Sequence, residues 1–159
     1  GERDHNGTKY ALTSRRRGER VAVTSNQVRT FSPKEAFKFL QEHPNAVFID
    51  VRSNMEYLFV GHPTGAIHIP WIDEPDWQVN PQFVKQVRQA MLGGAGGAAP
   101  VVLICRSGVR SLDAGKTLIA AGVREVYNVS EGFEGHLDDH HHRSTVDGWR
   151  FHGLPWEQC

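Results

Sequence analysis

Three short strand-like segments constrain this chain more than anything else in it: AVFIDV at 46–51, VVLIC at 101–105 and EVYNV at 125–129. AVFIDV is short, apolar and partly β-branched, as a buried strand should be, VVLIC is the most strand-like of the three, and EVYNV reads as another strand. Helical periods separate them. Ser32-Pro33-Lys34-Glu35 is a capping box with proline at the first helical position, followed by Ala36, Phe37 and Leu40 on one face. Ser53 and Glu56 repeat the capping spacing and predict about two helical turns to Val60. AIHIP at 66–70 reads as a short strand, and WIDEPDWQVN at 71–80 as irregular chain. Asn80-Pro81 opens a helix with Phe83, Val84, Val87, Ala90 and Met91 on one side. GGAGGAAP at 93–100 ends it as a surface loop, since no Lys-Ser/Thr pair follows to make a phosphate cradle. A further helix is expected from Val109 to Ala121, closed by Gly122. Strands alternating with helices specify an α/β fold, with a mostly parallel sheet and helices on both faces.

The 159 residues suit one domain with a tail at each end, and 39% apolar with 23% charged residues is ordinary for a globular protein. Net charge is zero, which argues against a nucleic-acid or membrane-surface partner. No apolar run is long enough to span a bilayer. The zero hides a gradient: residues 1–30 carry seven basic against three acidic side chains, and 131–159 carry two against six. Residues 1–26 read as a flexible basic arm in which VAV at 21–23 forms at most a short strand. Residues 27–135 are expected to form the main domain, and 136–159 an acidic, His-rich extension packing on it. SRRRGER at 14–20 has the look of a twin-arginine signal, but VAVTSNQ after it has no apolar h-region, so it reads as part of the basic arm. The expected location is cytoplasmic, or periplasmic were a signal peptide already removed. Oligomeric state is left open by the sequence.

Two cysteines, Cys105 and Cys159, exclude a disulfide scaffold and a four-thiolate zinc site. Cys105 closes the VVLIC strand and is followed by Arg106, Ser107, Gly108, Val109, Arg110 and Ser111 at the start of a helix. Ligands of open α/β sheets sit at this strand end. A helix N-terminus and two guanidinium groups favour a thiolate and attract anions. Gly108 lets the backbone curl so that its N–H groups turn inward. A buried structural cysteine would need none of these features, so Cys105 is read as a nucleophile.

CRSGVRS at 105–111 resembles the active-site loop of the rhodanese (thiosulfate sulfurtransferase) family. DVRSNMEYLFVGHPTGAIHIP at 50–70 resembles that family's N-terminal signature, NVSEGFEG at 128–135 the segment after its last strand, and GWRFHGLPW at 148–156 a tail of bacterial single-domain members. The resemblance covers residues 27–156 and implies a five-stranded parallel α/β fold that moves sulfane sulfur through a cysteine persulfide. It implies Cys105 as the catalytic residue, the loop from Arg106 to Ser111 as the substrate-binding cradle, and Asp50 and Arg52 in support. No cofactor or metal is implied. The expected partners are a small anionic sulfur donor and an acceptor that is cyanide or a thiol, a protein thiol included.

Two guanidinium groups fit a sulfonate-like dianion, so thiosulfate is the expected donor, with a protein persulfide as the biological alternative. Tyrosine phosphatases place five residues between Cys and Arg, whereas four separate Cys105 from Arg110, which disfavours a phosphatase. A non-catalytic docking or sulfur-carrier module is the second reading, and retention of the whole loop favours the enzyme. Asp50 is expected to orient a loop arginine or cap the turn beneath it, and Arg52 to pair with Glu56 at i,i+4. His62 and His68 read as packed or hydrogen-bonded loop residues. Trp71 and Trp77 either line the mouth of the site or cover the sheet edge. HLDDHHHR at 136–143 lacks metal-ligand spacing and reads as a surface loop forming a lid or an interface. Cys159 reads as a free tail thiol.

Overall fold

A computed structural model describes residues 27–93 and 97–159. The expected strand at 21–23 and the rest of the basic arm lie outside the described residues. The strands, in chain order, are β1 (Arg29–Phe31), β2 (Val47–Asp50), β3 (His62–Pro63), β4 (Ile67–His68), β5 (Ile72–Asp73), β6 (Gln78–Val79), β7 (Val101–Ile104), β8 (Val126–Val129) and β9 (Trp156–Glu157). The α-helices are α1 (Pro33–Glu42), α2 (Phe83–Leu92) and α3 (Val109–Ala120). Five strands form a parallel sheet in the order β1-β8-β7-β2-β4. The expected α/β class and five-stranded parallel sheet are both present.

Every residue of β2, β7 and β8 is buried, so successive side chains divide between two cores. Val47, Ile49, Val101 and Leu103 face Phe83, Val87 and Met91 of α2 and Ala114 and Leu118 of α3. Phe48, Val102, Ile104, Tyr127 and Val129 face the other way, towards Ala36 of α1, Phe133 and Trp149. Helices cover the first face; α1 and the chain after β8 cover the second. Both halves of the α1 capping box are made, Ser32 N–H to Glu35 Oε1 at 2.8 Å and Glu35 N–H to Ser32 Oγ at 3.2 Å. Such a cap is worth about 1 kcal/mol.

Several elements differ from expectation. β1 is only three residues and pairs on one side, with β8, so it carries no buried apolar run to announce it. Residues 71–80 are not wholly irregular: β5 and β6 form a small antiparallel pair, Ile72 opposite Val79 and Asp73 opposite Gln78. The segment after Ser53 makes its capping box, but Glu56–Val60 winds as a π-helical turn. The wider turn holds the Tyr57 ring in stacks with His62 and His68, at 4.0 and 4.5 Å between centroids. Among the described residues no helix is long and apolar enough to cross a membrane.

Residues after 135 return to the sheet. Trp149 is 1% exposed, contacts Phe37 and Phe48, and donates its indole N–H to Pro155 O at 2.8 Å. β9 then pairs with β3, and Gln158 Nε2 donates to the carbonyls of Phe59 and Val60.

Candidate active site

β7 runs parallel to β2 with Asp50 opposite Ile104, so Cys105 emerges one residue past the carboxyl end of both strands. Strand alternation continues from Val101 and Leu103 and turns the Cys105 side chain to the face carrying α3. The side chain is almost wholly covered, 1% exposed. The loop then reverses through Gly108, whose φ of +102° is open only to glycine without strain. The reversal aims Gly108 N–H at Cys105 Sγ, 3.1 Å away. One turn into α3, the buried Ser111 hydroxyl is also 3.1 Å from Sγ.

The chain beyond β8 holds the loop from behind. Phe133 N–H donates to Cys105 O at 2.8 Å, and Glu134 and Gly135 N–H both donate to Arg106 O. This occupies the carbonyls away from the sulfur. Gly132 makes the approach possible: a Cβ there would lie 2.6 Å from Cys105 O.

The charged groups form two pairs and one outlier. Asp50 and Arg52 are both fully buried, with Arg52 Nη2 2.6 Å from Asp50 Oδ2 and Arg52 Nε 2.9 Å from Asp50 Oδ1. Arg52 Nη2 also donates to Gly61 O at 2.6 Å, and its guanidinium lies 4.6 Å from the Phe133 ring centroid. Arg110 forms a two-pronged pair with Glu56, at 2.7 and 2.9 Å. Arg106 is exposed, and its side chain has no hydrogen bond or ion pair among the described residues.

These pairings correct the expected ones. Arg52 pairs not with Glu56 but with Asp50: its guanidinium lies over Phe133, takes Asp50 through two nitrogens and donates to Gly61 O at the end of the π-helical turn. Glu56, freed, reaches across to Arg110. Asp50 holds no loop arginine; its carboxylate accepts the Arg52 backbone N–H at 3.1 Å and closes the turn after β2. Burial by itself would raise the Glu56 carboxyl. The hydrogen bond and charge of Arg110, the Ser53 N–H and the charge of Arg52 outweigh it and hold Glu56 at about 2. Arg110 is raised above its usual value, chiefly by the Glu56 hydrogen bond, with burial opposing and the Cys105 and Asp50 charges assisting.

Of the other candidates, His62 Nδ1 bonds Tyr57 O at 3.1 Å and His68 Nε2 bonds Arg52 O at 2.8 Å, so both brace loops. Trp71 is a core residue packed edge-on to Phe83, whereas Trp77 is exposed. In 136–143, His136 pairs with Asp147, and Asp138 accepts the N–H groups of His140 and His142. Asn128 is a residue that sequence reasoning passed over. It is buried on β8, lies 2.5 Å through Oδ1 from Ser111 Oγ, and donates Nδ2 to Gly108 O at 3.2 Å. An amide side chain inside the buried VYNV strand was the available signal.

Residues 32–139 match the rhodanese-like domain family. The crystal structure of Rv0390 from M. tuberculosis is 36% identical, superposes with a TM-score of 0.73, and the match covers 84% of this chain and 99% of that one. The solution structure of a polysulfide-sulfur transferase homodimer from Wolinella succinogenes is 28% identical with a TM-score of 0.54, covering 84% of this chain and 80% of that one. The thiosulfate sulfurtransferase GlpE of Actinobacillus pleuropneumoniae is 27% identical over 132 residues, 79% of this chain and 90% of its own length.

Proposed function

This chain belongs to the rhodanese-like domain family, and from that premise we propose that it is a sulfurtransferase working through a persulfide on Cys105. The observation that carries the reading is the sulfur's setting: Gly108 N–H and the Ser111 hydroxyl converge on Cys105 Sγ, each at 3.1 Å, at the carboxyl end of a buried strand. Hydrogen-bond donors aimed at one sulfur suit an anion there, whether thiolate or persulfide.

The reaction has two halves. The Cys105 thiolate attacks the outer sulfur of a sulfane donor such as thiosulfate. An S–S bond forms on Cys105, the donor's S–S bond breaks, and its electron pair leaves with sulfite. Arg106, exposed one residue after Cys105, meets the anion arriving and leaving in this reading. A thiophilic acceptor, cyanide or a thiol, then attacks the outer persulfide sulfur and Cys105 leaves as thiolate. One nucleophile serves both halves, so the kinetics are ping-pong. The tight cover on Cys105 fits a cargo of a single atom presented end-on.

Intact mass after incubation with thiosulfate and desalting tests the reading. Gain of one sulfur atom, lost again to cyanide with release of thiocyanate, is the expected result. A folded protein with free Cys105 that gains no sulfur from thiosulfate or from a persulfide is a docking module instead.

A further inference from the structure

The loop's two arginines are electrostatically unequal. Arg106 is unpaired among the described residues and open to solvent. Arg110 is partly covered, and Glu56 already holds it through two nitrogens. A bidentate carboxylate occupies the geometry that a sulfonate would otherwise use. Counting formal charges, Cys105 as thiolate, Arg106, Arg110 and Glu56 sum to zero, and the adjoining Asp50–Arg52 pair adds nothing.

Donors differ in what they ask of this neutral cluster. Thiolate plus thiosulfate gives persulfide plus sulfite, with three negative charges on each side of the step. Thiolate plus an R–S–S⁻ donor gives persulfide plus R–S⁻, with two. A carboxylate at the rim repels a dianion about twice as strongly as a monoanion. We propose that Glu56 is a specificity-determining residue: by neutralising Arg110 it turns the loop away from dianionic thiosulfate and towards singly charged sulfane donors, persulfides and hydropolysulfides. The inference rests on Cys105 being the sulfur acceptor and adds the donor class. Charge exclusion of the wrong substrate is the repulsive half of specificity.

The test loads Cys105 in the full chain from thiosulfate and, separately, from glutathione persulfide, and takes the ratio of the two kcat/KM values. Glu56→Gln keeps the side chain's size and one oxygen for Ser53 N–H, but removes the charge and one of the two acceptors that hold Arg110. It is expected to raise the thiosulfate-to-persulfide ratio about tenfold at low ionic strength, the gain shrinking as salt screens it. Glu56→Asp keeps the charge and should stay near the parent ratio. An unchanged or lower ratio in Glu56→Gln, or the same rise in Glu56→Asp, overturns the proposal while leaving the sulfurtransferase reading intact. The parent protein, tested without any substitution, should load faster from glutathione persulfide than from thiosulfate, and the opposite order also overturns it. No sulfur gain from either donor overturns the parent reading and this inference together.

Discussion

The hydroxyl of Ser111 stands between Cys105 Sγ, 3.1 Å away, and Asn128 Oδ1, 2.5 Å away. One proton serves two acceptors. When the sulfur is a thiol it can donate to Ser111, whose own proton then goes to Asn128; when the sulfur is an anion, Ser111 can turn its proton to it. Asn128 is itself pinned, by its donation to Gly108 O. A hydrogen bond to a charged group contributes about 1.5–3 kcal/mol. Ser111→Ala is therefore expected to slow both alkylation of Cys105 by iodoacetamide and sulfur loading by about tenfold or more. Equal rates in parent and variant would show that Gly108 N–H suffices.

Cys105→Ser removes the nucleophile and little else, since the smaller oxygen enters the same covered position. Sulfur gain by mass and thiocyanate production should both vanish, while the melting temperature stays within about 5 °C of the parent. Transfer at the original rate would sink the covalent mechanism.

Gly108 has no substitute. Its φ is +102°, and a Cβ would collide with the carbonyl oxygen of Ser130. Gly108→Ala should cost about 2 kcal/mol or more in urea unfolding and displace the N–H now aimed at sulfur. Activity should fall further than the stability loss alone accounts for.

Glu56 links stability to acid. Its folded value is about 2 against an ordinary 4.5, so its contribution is present above 4.5 and is lost as pH falls towards about 2. Urea midpoints measured between pH 7 and pH 3 should fall less in Glu56→Gln than in the parent. Parallel curves for the two proteins would mean that the Arg110 pair carries no net stability.

Trp149 tests how far the segment after β8 belongs to the core. It is 1% exposed and packs on Phe37 and Phe48. Trp149→Ala should destabilise by about 3–5 kcal/mol. A loss below about 1 kcal/mol in denaturant unfolding would show that the segment only leans on the sheet.

How legible these features were in the sequence follows from how local their signals are. The three buried strands and the helix caps declare themselves because burial on both faces favours short, largely apolar runs and caps demand fixed spacing. β1 escaped because three edge residues need no such run, and the β5–β6 pair because two residues a side are too short for a period. The geometry of the Cys105 loop was legible for a similar reason: strand, cysteine, glycine and arginines lie within eleven consecutive residues. The ion pairs were not. Arg52 and Glu56 have helical spacing, but the choice between Asp50 and Glu56 as partner depends on which way β2 turns its side chains and on a residue 54 positions away, Arg110. Asn128 meets Ser111 across 17 residues, a distance that only the sheet order closes.

The two ends of the described chain approach the sheet from opposite poles. Gln27 leads into β1 at the amino ends of the parallel strands, the far pole from Cys105, whereas Gln158 lies against Phe59 and Val60, in the same turn as Glu56. For anyone immobilising or fusing this protein the two attachments are not equivalent. A linker ahead of Gln27 attaches at the pole away from Cys105, while cargo hung after Gln158 is delivered beside the turn that carries Glu56, on the Cys105 side of the sheet.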